Sequence, residues 1–451
     1  MADSGSFRAR RYRGAWLRDR LCPLAMASLF LCVSAVAVAE PKAVPTARFQ
    51  VVGFSVVGAD PLNANEAKML LASFVGEHEG LDGLLAAADA LEQRLADRGY
   101  SFHRVSLPQQ TLRGGVVRLE IVEMKLGNIQ LQGNEHFSRE NILASMPPLL
   151  PDRAPNTRLL SRALALANEH PAKQLRLTFK ESPEPGRMDA HLKVEDEKPW
   201  QIFASLNNTG NKNTGKRRVS LGIQHNNLFG RDHIANLSYT TSPDQPKRVR
   251  QWGLNYQVPI YPLAASLRAY GAKSDVDSGR IAGLFDVAGA GTIYGLVYTQ
   301  HLHKMGKYRH TLSLGVEDKE FDNDVTVGGG GVSITPDIRS RPLTLSYAGR
   351  YPWSRANLAF DITFAANLDG GSTNSASDYA SSRLGAAQDW KLLRLGISGD
   401  YLFSNDWMLR ASARGQYSGE PLINGEQFGV GGLTRCVASM NVRWRAIPAT
   451  T

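Results

Sequence analysis

The chain has 451 residues, of which 43% are hydrophobic and 21% are charged, a balance that excludes an intrinsically disordered protein. Its formal net charge is +10, but six arginines and two aspartates before Glu40 account for four of those charges. No block of Lys and Arg follows, so the composition gives little support for a nucleic-acid-binding protein.

The first 39 residues have the pattern of a secretory signal peptide. Six arginines lie between Arg8 and Arg20, residues 21–38 are uncharged and mostly apolar, and Ala37-Val38-Ala39 matches an A-x-A cleavage site. We therefore predict a signal peptide over residues 1–39 that is cleaved after Ala39. An uncleaved N-terminal anchor helix is the alternative.

Two consecutive units, residues 47–123 and 124–198, share one predicted order of elements, β-α-α-β-β. In the first unit, an apolar strand precedes helices predicted over residues 64–74 and 81–98, and the second helix has leucines on one face. Two strand-like runs, SFHRVSL and GGVVRLEIVE, complete the unit. The second unit has the strand LGNIQLQG, two helices, and the strands KQLRLTFKE and MDAHLKVED. The sequence thus predicts two small α+β domains.

Residues 199–434 alternate between apolar and polar positions, as β-strands do. About eleven such strands precede Ser418, joined roughly in turn by short turns and by longer polar or glycine-rich loops. A soluble β-sandwich and a transmembrane β-barrel both produce this alternation, but the signal peptide and strands of about ten residues favour the barrel. Aromatic residues near strand ends are predicted to form interface girdles: Trp252, Tyr256, Tyr261, Tyr347, Tyr351, Trp353, Tyr401, Phe403 and Trp407.

The sequence predicts no catalytic residues, no cofactor and no metal site, and hence not an enzyme. GNKNTGKR, residues 210–217, nearly fits a phosphate-binding loop, but Arg217 stands where Ser or Thr is required and a strand follows instead of a helix. His301 and His303 have strand spacing without a third ligand nearby. Residues 40–434 contain no cysteine, which excludes a cysteine cage and is typical of exported proteins that avoid incorrect disulfides.

Three motifs resemble the ShlB/FhaC/HecB family of haemolysin secretion/activation proteins, the outer-membrane transporters of two-partner secretion, within the BamA-like superfamily. VSLPQQTLRGGVVRLEIVE resembles the end of the family's first POTRA (polypeptide-transport-associated) domain, with Pro108, Gln109, Gly115 and Glu123. LNNTGNKNTGKRRVSLGIQHNNLFGRDHIANLSY resembles the first barrel hairpin, with Asn207, Asn208, Thr214, Gly215, Asn226, Gly230 and Asp232. EPLINGEQFGVGGLT resembles the start of the sixth extracellular loop, with Glu426, Gln427, Phe428, Gly431 and Gly432.

The resemblance implies a fold and a function. The fold is two POTRA domains followed by an antiparallel transmembrane β-barrel, for which the family uses sixteen strands. The POTRA domains are expected in the periplasm, where they bind an unfolded exoprotein, a haemolysin or adhesin, by adding a strand to an exposed sheet edge. The barrel is expected in the outer membrane, inserted there by the barrel assembly machinery, and it exports the exoprotein without ATP.

The last residues depart from the family pattern. The family continues from the glycines to Val-Arg-Gly-Tyr, whereas this chain has Thr434-Arg435-Cys436-Val437. With synonymous codons chosen for the tail, restoring one base after Thr434 yields Ser-Val-Arg-Gly-Phe. We therefore expect residues 435–451 to be out of frame and the barrel to stop after about eleven strands. Open sheet edges are costly in lipid, so this polypeptide is not expected to form a stable conducting barrel; a natural short variant is the alternative.

Two other functions remain open on the sequence alone. One is a BamA-like outer-membrane protein assembly factor, which differs from the transporters mainly in the number of POTRA units and in the LPQQ-type motif. The other belongs to a different class, a soluble periplasmic or surface β-rich adhesin. Detergent extraction from outer membranes would distinguish the adhesin from both membrane proteins.

Overall fold

The computed structural model describes residues 48–210, 212, 214–275, 279–281, 285–287, 290–322, 337–404 and 407–428. Three predictions lie outside these residues and stay predictions. They are the signal peptide with its cleavage after Ala39, the glycines Gly431 and Gly432 of the loop motif, and the out-of-frame tail from residue 435.

The first domain packs two helices on a three-stranded sheet. Its elements are β1 (Arg48–Val51), β2 (Gly53–Gly58), α1 (Ala64–Leu71), β3 (Gly76–Glu79), α2 (Asp82–Asp97), β4 (His103–Ser106) and β5 (Val116–Glu123). The central strand β5 pairs in parallel with β2 and antiparallel with β4. Leu84, Leu91 and Leu95 of α2 share a buried core with Val117 and Leu119 of β5, as the leucine face of the helix predicted.

One strand pair of the first domain was not predicted. β1 and β3 pair antiparallel over four residues each, apart from the main sheet. The sequence of β3, Gly-Glu-His-Glu, has no apolar residue, so it lacks the alternation from which a strand is predicted.

The second domain repeats this arrangement. Its elements are β6 (Lys125–Gln132), α3 (Arg139–Ala144), α4 (Thr157–Ala167), β7 (Lys173–Glu181) and β8 (Arg187–Asp196), with sheet order β6-β8-β7. α3 and α4 begin after Ser138 and Asn156, whose side chains accept hydrogen bonds from the backbone N–H groups of Asn141 at 3.2 Å and Arg158 at 3.0 Å. Such caps satisfy N–H groups that have no partner inside the helix.

Eleven further strands follow one another in a single antiparallel sheet. They are β9 (Trp200–Asn207), β10 (Arg218–Leu228), β11 (His233–Thr241), β12 (Arg250–Ile260), β13 (Ala265–Ser274), β16 (Ala290–His301), β17 (Arg309–Asp322), β19 (Pro342–Pro352), β20 (Ala356–Asn367), β21 (Lys391–Leu402) and β22 (Met408–Ser418). The short strand β18 (Ile338–Ser340) also pairs with β17, and β14 (Gly279–Ile281) pairs with β15 (Phe285–Val287). The sheet has the predicted number of strands, and within the described residues β9 and β22 are its unpaired edges.

The burial pattern of this sheet is the reverse of that in a soluble protein. On β17, the apolar side chains of Leu312, Leu314 and Val316 are exposed on one face. The charged side chains of Glu317 and Lys319 are mostly shielded on the other face. We call these the outer and inner faces; an exposed apolar face is what a membrane-spanning strand presents to lipid. The pattern favours the predicted barrel over the β-sandwich.

The loop between β20 and β21 is more ordered than the sequence indicates. We expected residues 368–382 to be a polar loop, but they contain α5 (Ala376–Ser382), which begins with a capping box between Ser375 and Asp378. The fully buried side chains of Tyr379 and Trp390 attach the loop to the end of the sheet. No helix among the described residues is long and apolar enough to cross a membrane.

Candidate functional site

Glu426, in the loop after β22, is buried against the inner face of the sheet. It is 1% exposed, and its carboxylate accepts hydrogen bonds from Lys319 Nζ, Arg394 Nη2 and Ser340 Oγ, each at 3.2 Å. A buried carboxylate is stable only when it is paired in this way. The loop motif predicted from the sequence thus contains a specific anchor to strands β17 and β21.

A second carboxylate completes this group of charges. Glu317 lies two residues before Lys319 on the same face of β17 and contacts its ammonium at 2.9 Å. The Tyr270 hydroxyl of β13 donates a hydrogen bond to Glu317 across the intervening strand β16. Gly295 of β16 makes this possible, because a Cβ at that position would lie 2.3 Å from the tyrosine ring. We call Tyr270, Glu317, Lys319, Arg394 and Glu426 the inner-face cluster.

The backbone of the loop is held as well. The Gln416 amide of β22 donates to Glu426 O at 2.9 Å and accepts from Arg394 Nε at 2.9 Å. Leu422 and Ile423, earlier in the loop, are buried in the apolar group around Trp390. The inner-face cluster therefore fixes the start of this loop against the inner face of the sheet.

The other residues of the loop motif have smaller roles in the structure. Gln427 donates to Leu422 O at 3.1 Å, and Phe428 is partly exposed. The sequence indicated Glu426 through its motif, but nothing in the sequence indicated Lys319, Arg394 or Gln416 as its partners.

Asp232, from the first-hairpin motif, joins the sheet to the second domain. It lies in the turn between β10 and β11 with a φ of 60° and is 1% exposed. Its carboxylate pairs with Lys173 of β7, whose side chain is fully buried, and accepts a hydrogen bond from the Tyr261 hydroxyl at 2.6 Å. Burial lowers the pKa of the Lys173 ammonium, and Asp232 opposes that shift. Burial also raises the pKa of the Tyr261 phenol, in the same direction as the neighbouring carboxylate.

Tyr261 corrects one prediction. We predicted that it lies in an aromatic girdle at the membrane interface, yet it is buried in the core of the second domain. Other predicted girdle residues, such as Trp353 and Trp407, are exposed at strand ends. Strand-end position alone does not separate a lipid-facing tyrosine from one that packs on a neighbouring domain.

Two more hairpin-motif residues contribute backbone groups to this junction. His170 Nε2 donates to Asn226 O at 2.6 Å, and Asn141 Nδ2 donates to Gly230 O at 2.7 Å. Burial lowers the pKa of the His170 imidazole, so His170 is neutral near pH 7. Gly230 has a φ of 64°, a conformation that glycine adopts at little cost. We call Asn141, His170, Lys173, Asp232 and Tyr261 the domain junction.

The remaining hairpin-motif residues lie at the opposite end of β10. Thr214 Oγ1 and Gly215 O both accept hydrogen bonds from the buried Arg218 guanidinium, at 2.7 Å each. Asn207 Oδ1 accepts from Thr209 N at 3.2 Å, and Asn208 is exposed. The motif therefore serves two separate places, a strand end near Arg218 and the domain junction.

The motif of the first domain closes a loop on its central strand. Gln110, one residue after the predicted Gln109, donates to Arg118 O at 2.8 Å and accepts from Arg118 N at 2.7 Å. The amide of Gln110 thus makes the two backbone hydrogen bonds to Arg118 that a neighbouring strand would otherwise make with β5. Gln109 is exposed.

The other first-domain motif residues take structural positions. Gly115 has a φ of 71° and accepts from Val52 N at 2.7 Å, which ties the loop to the start of β2. Pro108 accepts from the Gln110 amide at 3.2 Å, and Glu123 ends β5 beside Lys125 at 3.4 Å.

The predicted histidine pair separates in the structure. His301 is buried with Nδ1 3.2 Å from the Glu169 carboxylate, whereas His303 is exposed in the turn after β16. Among the described residues, no three His, Cys, Asp or Glu side chains are grouped as metal ligands would be.

Comparisons with known proteins agree with this arrangement. The family model described as "Haemolysin secretion/activation protein ShlB/FhaC/HecB" matches residues 186–434, and "POTRA domain, ShlB-type" matches residues 49–123. The outer membrane transporter CdiB-2 of Burkholderia pseudomallei is 27% identical over 212 residues, which cover 45% of this chain and 35% of that protein. The heme/hemopexin transporter protein HuxB of Haemophilus influenzae is 25% identical over 168 residues, 37% of this chain and 30% of that protein. The matches thus span about a third of these relatives.

Solved structures show the same fold. CdiB from Escherichia coli superposes with a TM-score of 0.64 at 18% identity, over 89% of this chain and 73% of that one. CdiB from Acinetobacter baumannii gives a TM-score of 0.58 at 18% identity, over 86% and 72%. The predicted fold class, POTRA followed by a large antiparallel barrel sheet, is confirmed. The chain belongs to the ShlB/FhaC/HecB family of haemolysin secretion/activation proteins.

Proposed function

We propose that this protein is an outer-membrane transporter of two-partner secretion. It binds an unfolded exoprotein, a haemolysin or adhesin, in the periplasm and passes it through the barrel without ATP. The proposal assigns it no enzymatic activity and no cofactor. Its partners are the exoprotein, outer-membrane lipid and the barrel assembly machinery. The observation that carries the proposal is the inner-face cluster, which fixes the start of the loop after β22 against the inner face of the sheet.

The two POTRA-type domains supply the proposed exoprotein-binding surface. β7 is an outer strand of its sheet, so it has one edge to which a strand can be added. The Asn168 side chain already bonds Leu175 N and O on this edge, at 2.7 and 3.0 Å, so the added strand would pair beyond Leu175. The edge of β4 is less open, because Val105 N donates to the Glu92 carboxylate at 3.0 Å. The domain junction sets the position of β7, because Lys173, its first residue, is the one paired with Asp232. An extended exoprotein segment on β7 is thereby held beside the first hairpin of the sheet.

Comparing the proteins released by two strains of the source bacterium tests the proposal. The gene is deleted, and culture-supernatant proteins are quantified by mass spectrometry with and without the gene restored. We expect one large exoprotein to be released when the gene with its reading frame restored after Thr434 is present, and to accumulate in the periplasm when no gene is present. A supernatant that the frame-restored gene leaves unchanged would refute the transport function.

The predicted frameshift is tested by comparing two further strains in the same experiment. One strain receives the chain as it stands, and a second receives a version with the reading frame restored after Thr434. Export by the restored version alone supports both the transporter and the frameshift. Export by neither version contradicts the transporter, and equal export by both contradicts the frameshift.

A further inference from the structure

The turn between β16 and β17 and the facing side of α4 together carry unpaired positive charge. Lys304 and Lys307 are exposed on the turn, next to His303. Arg158 and Arg162 are four residues apart on α4 and so lie on one side of the helix. None of these four Lys and Arg side chains forms an ion pair with a carboxylate within the part of the chain that the structure describes. We call these five residues the basic rim.

Backbone hydrogen bonds hold the rim in shape. Met305 and Tyr308 exchange backbone hydrogen bonds of 3.1 and 2.9 Å, with Gly306 between them at a φ of 58°. Arg162 Nη2 donates to His301 O at 3.0 Å, just before the turn, and so brings α4 to it. The two parts of the rim thus form one surface.

The electrostatics of His303 report the same surface. Desolvation lowers the pKa of its imidazole first, and the nearby guanidinium groups of Arg158 and Arg162 lower it further. His303 thus lies close to both arginines of the rim.

Neighbouring aromatic residues mark the depth at which this surface lies. Tyr308 stacks over Phe360 with ring centroids 6.4 Å apart, and its hydroxyl is 2.7 Å from that of Tyr347. Tyr351 and Trp353 form a second aromatic pair at the end of β19. Aromatic side chains at strand ends gather at the level of lipid headgroups. Met305, which is 59% exposed, places an apolar side chain between the two lysines.

We propose that the basic rim binds the phosphate groups of anionic phospholipids in the periplasmic leaflet of the outer membrane. Cations flanking an exposed apolar side chain at headgroup level suit such lipids, because the charges meet phosphate while the apolar group enters the acyl boundary. Binding would hold α4, and with it the second POTRA-type domain, against the membrane. The inference rests on the proposed function, since it requires the sheet to lie in the outer membrane.

Native mass spectrometry of the full chain in a nonionic detergent tests the proposal. Short-chain phosphatidylglycerol is titrated against phosphatidylcholine, and retained lipid is counted for wild type and for Lys304→Gln/Lys307→Gln. A matched control, Arg176→Gln/Lys180→Gln, removes two exposed cations from β7 on the same domain. We expect saturable binding of phosphatidylglycerol that weakens about 30-fold in the rim variant, since each cation near an anionic surface contributes about fivefold. The control should bind as wild type does.

Three results would overturn the proposal. They are equal binding by the rim variant and wild type, equal retention of the two lipids, and full displacement by inorganic phosphate at the same concentration, which would indicate a free-anion site. Carbonate washing of outer membranes tests the transporter separately. A chain released by the wash contradicts the membrane-embedded sheet, whereas an embedded chain without phosphatidylglycerol binding contradicts only the lipid site.

Discussion

Replacing Lys173 with Met should open the domain junction. The substitution keeps much of the side-chain volume, but among the described residues it leaves the Asp232 carboxylate, 1% exposed, with the Tyr261 hydroxyl as its one side-chain partner. Removing one member of a buried ion pair costs about 3–5 kcal/mol. An opening equilibrium that changes by this amount rises by about 10²- to almost 10⁴-fold.

Hydrogen exchange followed by mass spectrometry on the full chain in detergent micelles measures this opening. Peptides covering the turn after β10 and the start of β7 report it locally, because exchange follows the free energy of local opening. We expect their protection to fall by about two to almost four orders of magnitude in Lys173→Met, with the first domain unchanged. Protection within threefold of wild type would refute the argument that the ion pair holds the junction closed.

A double variant separates charge from packing. Adding Asp232→Asn to Lys173→Met removes the unpaired carboxylate while retaining a side chain that tolerates the φ of 60° at this position. Most of the lost protection should return, because the two positions are coupled. The exposed pair Lys193–Glu195, at 3.1 Å, provides the matched control, and Lys193→Met should leave exchange at the junction unchanged.

Three further variants test other parts of the account. Glu426→Gln should expose the start of the loop after β22. This is measured in a cysteine-free background with Ile423→Cys, a position that is buried in wild type and should now react with a polar maleimide. Continued protection of this cysteine would contradict the anchoring role of Glu426. Gly295→Ala should lower the free energy of unfolding in micelles by about 1–3 kcal/mol, because its Cβ would lie 2.3 Å from the tyrosine ring of the inner-face cluster. The control Gly415→Ala, whose Cβ would have no heavy atom within 4 Å, should leave the free energy of unfolding unchanged. Equal effects of the two substitutions would contradict the predicted clash. His170 has a lowered pKa when folded, so its contribution is fully present above about pH 6.5 and is lost as pH falls below that value. The protection of the junction relative to the intrinsic exchange rate at each pH should therefore fall in acid for wild type but not for His170→Gln, and identical pH profiles of protection would contradict this.

The sequence predicts most of the elements of this fold because its local signals are strong. The leucine face of α2 defines a helix whose packing partners lie nearby in the chain. The strands of the large sheet follow from period-two alternation, which is a property of each strand alone. β3 was missed because Gly-Glu-His-Glu has no apolar residue to alternate.

The functional contacts are harder to predict because they join distant positions. Glu426 was found as part of a motif, but Lys319 lies 107 residues before it, and one lysine on a strand resembles any other. Asp232 was likewise found, whereas Lys173 reads as an ordinary charged residue at the start of a strand. Only the packing of the second domain against the large sheet shows that the Lys173 side chain is fully buried. The same cause accounts for Tyr261, which was predicted to face lipid and instead packs on the second domain.

Site-specific photo-crosslinking during export tests the central claim most directly. In the version with the reading frame restored after Thr434, a photoreactive amino acid is placed at Arg176 on the outer strand β7, at Ser412 on the inner face of β22, or at Leu221 on the outer face of β10 as the control. We predict that the same exoprotein is captured from Arg176 and from Ser412 but not from Leu221. Capture from none of the positions, or from Leu221 as readily as from Ser412, in cells that release the exoprotein would contradict a path along β7 and the interior of the sheet.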